Sequence, residues 1–176
     1  MHFFETERLR LRNLIPEDID VMFDYRNNEI CSRYQRGQTK TYDGIKDLIQ
    51  RRKDDEFSLG DPFMIAVALK KTNEMIGEIV VMPSEKTFSL GYTFSYKYHR
   101  MGYAFEALSF LIEHLHFKYP DWEFISFTDP DNQASRGLLT KLGYIDLGYI
   151  PSKESLAFGK WVAEVTVEEC RQISRK

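Results

Sequence analysis

The sequence predicts a single mixed α/β domain with about seven strands in a mostly antiparallel sheet and about four helices. Three observations carry this prediction. Two apolar runs flank the polar stretch KKTNE in FMIAVALKKTNEMIGEIVVM, which is the pattern of a β-hairpin. Apolar residues recur at helical spacing through the long segment from Gly102 to Lys118. Strand-like and helix-like segments follow one another without a repeat, a low-complexity tract or a linker. The 176 residues suffice for one domain with a substantial core.

In chain order, RLRLRNL (residues 8–14) alternates apolar and basic side chains and reads as a half-exposed strand. PEDIDVMFDYRNN opens with Pro16 and two acids, a composition suited to the first turn of a helix. A second helix is expected over Tyr42 to Lys53, with Ile45, Leu48 and Ile49 on one face. The loop between them, CSRYQRGQTKT, is polar and aromatic at once and reads either as a substrate mouth or as a surface connection. The hairpin supplies two strands, and FSLGYTFSY (88–96) supplies another with a glycine inside it. A glycine within a strand marks a bulge or a close approach of backbone. The helix from Gly102 to Lys118 follows, burying Phe105, Leu108, Ile112 and Leu115 as one stripe. WEFISFT (122–128) is a strand, and DPDNQASRGLLTKLGY leads to a short helix stopped by Gly143. Tyr144 to Ile150 and Leu156 to Val167 read as the last two strands.

Composition excludes several classes. With 24 basic and 27 acidic residues the net charge is -3, which gives no general attraction to nucleic acid. Cys31 and Cys170 match no zinc or redox spacing, so two reduced thiols are expected. His114 and His116 lie two apart on a helix and point to different faces, so no metal is expected. The start MHFFETERLRLR lacks the apolar run of a signal peptide, and no segment nears the roughly 18 apolar residues that span a bilayer. A cytoplasmic protein with no membrane partner is the expectation.

The stretch YKYHRMGYAFEAL (96–108) carries chemistry. Helices usually start with a Ser, Thr, Asp or Asn cap, and none stands between His99 and Ala104. The first N–H groups of such a helix lack partners, and the dipole adds roughly half a positive charge there. With His99 and Arg100 alongside, and Gly102 letting the backbone come close, the junction suits a phosphate or pyrophosphate. Ala104 leaves the first turn uncrowded. A glycine-relieved turn with a solvated arginine fits the same residues.

His99-Arg100-Met101-Gly102-Tyr103-Ala104, followed by Glu106-Ala107-Leu108, resembles the Gln/Arg-x-x-Gly-x-Gly/Ala loop of GNAT acetyltransferases. In that family the loop binds the pyrophosphate of acetyl-CoA. Asn132-x-x-Ser135 with Lys141-Leu142-Gly143-Tyr144 is similar to the family's Asn-x-x-Ser/Ala…Lys-x-Gly-Phe/Tyr segment. ETERLRLRNLIPEDID resembles the opening of the ribosomal-protein N-acetyltransferase-like (RimJ/RimL-type) branch. The resemblance implies a GNAT fold, with a twisted sheet whose fourth and fifth strands splay apart. It also implies a single N-acetyltransferase domain over residues 1–176, acetyl-CoA as co-substrate, no metal and an amine acceptor. An acetyl group would pass to a primary amine, of a protein N-terminus or a small molecule, by direct attack in a ternary complex. Family members are often homodimers.

The resemblance further implies site residues. His99, Arg100, Met101, Gly102, Tyr103 and Ala104 would hold the pyrophosphate. Tyr92, Thr93 and Phe94, on the fourth strand, would meet pantetheine through backbone groups. FISFT would form the other wall, with Phe127 and Thr128 at the thioester end. Asn132 would bond pantetheine, cap its helix, or both. Ser135 would assist the leaving thiolate, or else cap or pack. Four departures stand out. Leu139 occupies the slot where many members carry a tyrosine acid, and Ser89 and Leu90 stand where an acid often precedes the strand glycine. His99 replaces the usual Gln or Arg, and Arg100 replaces a frequent glycine. Glu78 is the available substitute for the base; pairing with a basic neighbour, or a water relay in its place, are the alternatives. The missing tyrosine and acid also motivate a second reading, a catalytically silent acyl-CoA-binding module. The acceptor is unspecified, and loops near residues 29–41 and 150–158 would set it.

Overall fold

The computed structural model describes residues 2–175 and contains, among them, eight strands in one sheet and six helices. The strands are β1 (His2–Glu5), β2 (Leu9–Arg12), β3 (Phe63–Leu69), β4 (Met75–Ser84), β5 (Thr87–Phe94), β6 (Glu123–Thr128), β7 (Ile145–Ile150) and β8 (Ser155–Lys160). The helices are α1 (Ile19–Asn27), α2 (Glu29–Ser32), α3 (Tyr42–Arg52), α4 (Tyr103–Lys118), α5 (Gln133–Lys141) and α6 (Glu164–Ser174). The sheet order is β1-β2-β3-β4-β5-β6-β8-β7, antiparallel throughout except where β5 meets β6. The fold class is the predicted one, with eight strands where about seven were expected.

The front of the chain is held by a buried arginine. Arg12 makes a bidentate pair with Asp18 at 2.8 Å to each oxygen, both side chains buried, and Asp18 also accepts from Ile15 N–H at 2.9 Å. This locks β2 to the 3₁₀ turn Pro16–Asp18 that starts α1. Strand alternation then sorts side chains between two cores. Ile65 and Val67 of β3, Ile79 and Val81 of β4, and Phe88 and Leu90 of β5 pack with Leu108, Leu111 and Ile112 of α4 and Leu139 of α5. Ala66 and Met75 face the other way, against Met22 and Tyr25 of α1 and Ile45 and Ile49 of α3.

Three elements differ from the sequence reading. β1 pairs with β2 as an extra hairpin strand; HFFE, at four residues, is too short to show an alternation. The short α2 sits in the loop after α1, its first turn capped by the Asn28 side chain. The final strand ends at Lys160 rather than Val167, because Trp161 turns to φ +51 and breaks the extended run. The alternating EVTV then becomes the start of α6, since Glu123 of β6 accepts from Ala163 N–H at 2.7 Å and from the Thr166 hydroxyl. A carboxylate from a distant strand thus serves as this helix's cap.

The sheet opens between β5 and β6. Their parallel pairing covers only Thr87↔Glu123 and Phe88↔Phe124, whereas β5 pairs with β4 without interruption from Thr87 to Phe94. Further along, Leu90 N–H reaches a side chain, the Ser126 hydroxyl at 3.5 Å. The closed end is packed by aromatic rings, with Phe88 stacked on Trp122 (4.5 Å between centroids) and tilted against Phe124 (5.3 Å) and Tyr119 (5.6 Å). The interior glycine of β5, Gly91, neither bulges the strand nor meets another backbone: a Cβ there would touch only Met82 Cε at 3.7 Å. Because Phe88 anchors the point where the strands part, Phe88→Ala is expected to lower stability by about 3–5 kcal/mol. Urea unfolding monitored by circular dichroism measures it.

Candidate active site

The wedge between β5 and β6 has one wall of unusual backbone. Leu90 N–H faces β6, so by alternation the backbone groups of Tyr92 and Phe94 face the wedge as well, and those of Thr93 face β4. Side chains take the carbonyls that a neighbouring strand would otherwise hold. Tyr92 O accepts from Gln35 Nε2 at 3.1 Å. Phe94 O accepts from His99 Nε2 at 2.7 Å and from the Cys31 thiol at 3.4 Å. A carbonyl can only accept, so His99 carries a proton on Nε2 and uses it to tie the following loop to the strand end. Thr93 is buried, and its hydroxyl meets Gln38 Nε2 at 3.0 Å.

The chain leaves β5 through a 3₁₀ turn, Tyr96–Tyr98, and turns into α4 at His99 to Gly102. Gly102 is the N-cap residue at φ +80, and no side chain caps the helix. Arg100 also adopts a left-handed conformation, φ +60, which is the physical reason that glycine suits this position. The side chains of Arg100 and Met101 are exposed. Sequence reading left Arg8 out of the site, and the structure puts it here. Arg8 donates through Nη1 to Met101 O at 2.9 Å and through Nε to Glu106 Oε2 at 2.6 Å, with its guanidinium 4.4 Å from the Tyr103 ring centre. Thr6 Oγ1 (2.6 Å) and Arg8 N–H (2.9 Å) both donate to Glu106 Oε1. The β1–β2 turn therefore grips the first turn of α4, so the Thr-x-Arg of the opening stretch and the glycine loop form one unit.

Across the wedge, Asn132 caps α5: its Oδ1 accepts from Ser135 N–H at 3.1 Å. The Ser135 and Tyr92 hydroxyls lie 2.9 Å apart, a hydrogen bond that bridges from β5 to α5. Burial raises the Tyr92 phenol above its ordinary value, and the Ser135 contact offsets part of that rise. Leu139 is buried in the larger core, one turn beyond Ser135. Lys141, at the end of α5, lies 4.4 Å over the Phe105 ring in the first turn of α4, bringing the two helices together. At the far end of β6, Thr128 is buried and Phe127 is partly exposed beneath Lys153.

Glu78 lies on the opposite face of the sheet from Tyr92 and Ser135. Its side chain is 2% exposed, and its oxygens meet Arg26 Nη2 at 2.7 and 2.8 Å, the Tyr25 hydroxyl at 2.6 Å and Gln38 Nε2 at 3.0 Å. All four contacts come from α1 and the loop after α2. The structure thus separates the two residues expected to be catalytic, with Ser135 on the α4–α5 face and Glu78 on the α1–α3 face. The loop 33–41 joins the two sides over the open end of the wedge. Gln35 and Gln38 bind β5, Tyr34 donates to Asp131 O at 3.2 Å, and Arg36 donates to Lys153 O at 3.2 Å. Among the described residues, no group of three or more His, Cys, Asp or Glu is placed to hold a metal ion, and no helix is long and apolar enough to cross a membrane.

The grip on Glu106 has a pH signature. Burial raises its carboxyl pKa, but the hydrogen bonds from Thr6 and Arg8 outweigh it, and the group stays charged below its ordinary value of 4.5. The bonds therefore stabilise the fold above about pH 4.5 and are lost as pH falls through the lowered folded-state value. Thermal melts of wild type and Glu106→Gln are expected to differ at pH 7 and to converge as the pH falls through that lowered value.

No curated protein matches this sequence. Among solved structures it is similar to a GNAT-family acetyltransferase from Bacillus anthracis, at 22% identity over 91% of this chain and 98% of that one, with a TM-score of 0.75. A ribosomal-protein-S5-alanine acetyltransferase from Vibrio fischeri aligns at 17% identity, over 91% and 96% of the two chains, with a TM-score of 0.69. RimL, a ribosomal L7/L12 α-N-protein acetyltransferase solved in complex with coenzyme A, aligns at 16% identity, over 91% and 97%, with a TM-score of 0.71. These likenesses establish the shared fold. The model of the acetyltransferase (GNAT) domain matches residues 8–145. Because that match runs from the arginine that grips α4 to the start of β7, and takes in both walls of the wedge with α4 and α5, the chain belongs to the GNAT acetyltransferase family.

Proposed function

We propose that this protein, as a single domain over residues 1–176, transfers an acetyl group from acetyl-CoA to a primary amine by direct attack in a ternary complex. The observation that carries this reading is the uncapped start of α4 at Gly102, beside a strand that has a backbone partner on one side only. Anions bind such helix starts, and the residues fit one: Arg100 brings positive charge, while Glu106, the acid in the first turn, is held and neutralised by Arg8 with Thr6. Acetyl-CoA, as co-substrate, supplies an activated thioester.

The chain's own groups then have distinct tasks. His99, Arg100, Met101, Gly102, Tyr103 and Ala104 hold the pyrophosphate, mostly through backbone N–H groups. Tyr92 and Phe94 face pantetheine, Thr93 braces the strand from behind, and Asn132 orders the first turn of α5. Ser135 offers its hydroxyl to the departing sulfur. The acceptor amine approaches from the face of Thr93, Gln38 and Glu78, so donor and acceptor meet through the wedge rather than on one side of the sheet. Glu78 already receives hydrogen bonds from Arg26, Tyr25 and Gln38. It takes up an amine proton through the Gln38–Thr93 side of this network, by water, more readily than by direct contact. Two similar structures are named for ribosomal-protein acetylation, so the α-amine of a protein N-terminus is the acceptor to test first. A catalytically silent acyl-CoA-binding module is the second reading, favoured by Leu139 in the core and by the saturated Glu78. Thiol release across a panel of amines and N-terminal peptides separates the two.

Acetyl-CoA at a hundredfold excess over its Kd is expected to stabilise the protein by about 2.7 kcal/mol, read as a rise in Tm. Gly102→Glu, which places bulk and negative charge at the helix start, is expected to remove that rise. Arg100→Gly relieves left-handed strain but loosens the unfolded chain, so its unliganded stability is expected to stay within about 1 kcal/mol of wild type. Its affinity for acetyl-CoA is expected to fall severalfold and to depend less on salt. Calorimetric titration at two ionic strengths checks both effects.

A further inference from the structure

Leu139, where a tyrosine acid is expected, is a core residue, yet a tyrosine hydroxyl still reaches the first turn of α5 from elsewhere. Tyr92 delivers it from β5, across the wedge, to Ser135 at 2.9 Å. Either oxygen of such a pair can donate. Neither oxygen has another hydrogen-bond partner among the described residues, so their acidity distinguishes the two: a phenol is far more acidic than an aliphatic hydroxyl and is the better donor. The Tyr92 ring is packed against the larger core, which holds its hydroxyl in place. When the phenol donates to Ser135 Oγ, one lone pair of the serine is taken and its own O–H is left to point into the wedge.

We propose that Tyr92 is a positioning residue: it donates its phenolic hydrogen to Ser135 and so aims the Ser135 hydroxyl at the sulfur that leaves the thioester. The inference rests on the acetyl-transfer reading above. It supplies from a strand what other members supply from the helix position occupied here by Leu139. As the acyl carbon–sulfur bond breaks, its electron pair leaves on sulfur, and the new carbon–nitrogen bond uses the pair of the attacking amine. The amine proton leaves by water toward Glu78, as in the reading above. Ser135 need not surrender its proton, because a serine hydroxyl is far less acidic than a thiol with its ordinary pKa near 8.5. It stabilises the thiolate by a hydrogen bond, which Tyr92 strengthens by polarising the same hydroxyl. The start of α5, capped by Asn132, adds its positive dipole end to the same place. A second buried hydroxyl, Tyr144, stands near Ser126 and Tyr92 with no hydrogen-bond partner. Polar capacity is thus left unspent on this side of the wedge.

The test needs no acceptor. Coenzyme A, as the free thiol, is titrated with pH in complexes with wild type, Tyr92→Phe, Ser135→Ala and the double variant. Binding is read from Tm and thiol ionisation from thiolate ultraviolet absorbance. All four are expected to bind coenzyme A. Ser135→Ala is expected to raise the bound thiol's pKa by about one unit, a tenfold shift in its ionisation. Tyr92→Phe is expected to raise it part of the way, and the double variant no further than Ser135→Ala, because the two act as a unit. Fluorotyrosine at position 92 keeps the shape, makes the phenol a stronger donor and is expected to move the thiol in the opposite direction. That arm also decides the matter if Tyr92→Phe folds poorly. Binding with one titration curve for all variants overturns the inference alone. A larger rise in Tyr92→Phe than in Ser135→Ala also overturns it, since Tyr92 would then reach the sulfur itself. Failure of wild type to bind coenzyme A overturns the acetyl-transfer reading, and the inference with it.

Discussion

The parting of β5 from β6 after Phe88↔Phe124 is the constraint from which the rest of the site follows. A strand paired on one side only leaves backbone groups that must be satisfied some other way. Here side chains do it: Gln35, His99 and Cys31 occupy the carbonyls of Tyr92 and Phe94, and the Ser126 hydroxyl takes Leu90 N–H. Each of those side chains is thereby drawn to the wedge. The loop after α2, the turn into α4 and the middle of β6 are held around one opening for the same reason.

Two buried ion pairs hold α1 in place without contributing in the same way. Arg12–Asp18 fixes the entrance to α1, and Arg26–Glu78 ties α1 to β4 beneath Thr93. Buried pairs are poor evidence of stability by themselves, because desolvation offsets much of their attraction. Their value here is geometric. Arg26–Glu78 carries a Gln38 contact that fixes loop 33–41, so a charge buried for packing also shapes the open end of the wedge.

The two opening motifs of the sequence turn out to be a single structure. By sequence, Arg8 reads as the start of a strand, Thr6 as part of the family-like opening, and Glu106 as part of the glycine-loop motif. In three dimensions they meet, and Arg8 also holds Met101 O. A separation of about a hundred residues in sequence hides such a contact from any periodicity argument, which sees only neighbours three, four or two apart. The resemblance to a family opening was the one available signal. The missing α4 cap, by contrast, was legible from YKYHRMGYAFEAL, because capping is a local matter of residue type.

What the sequence determined by itself was therefore local and ordered. It defined the long helix with its uncapped start, the β3–β4 hairpin, the Asn132 cap and the order of motifs that mark the family. It misjudged β1, α2 and α6, whose short or ambiguous patterns are settled by partners elsewhere in the chain; for α6 the deciding group is Glu123 on β6. Only the tertiary structure decided that Glu78 and Ser135 lie on opposite faces of the sheet, that Arg8 belongs to the loop and that Tyr92 meets Ser135. Each of these depends on which strand lies beside which, and on where two strands stop pairing. The free energy of those choices lies in packing between distant segments, not in the propensity of any one of them.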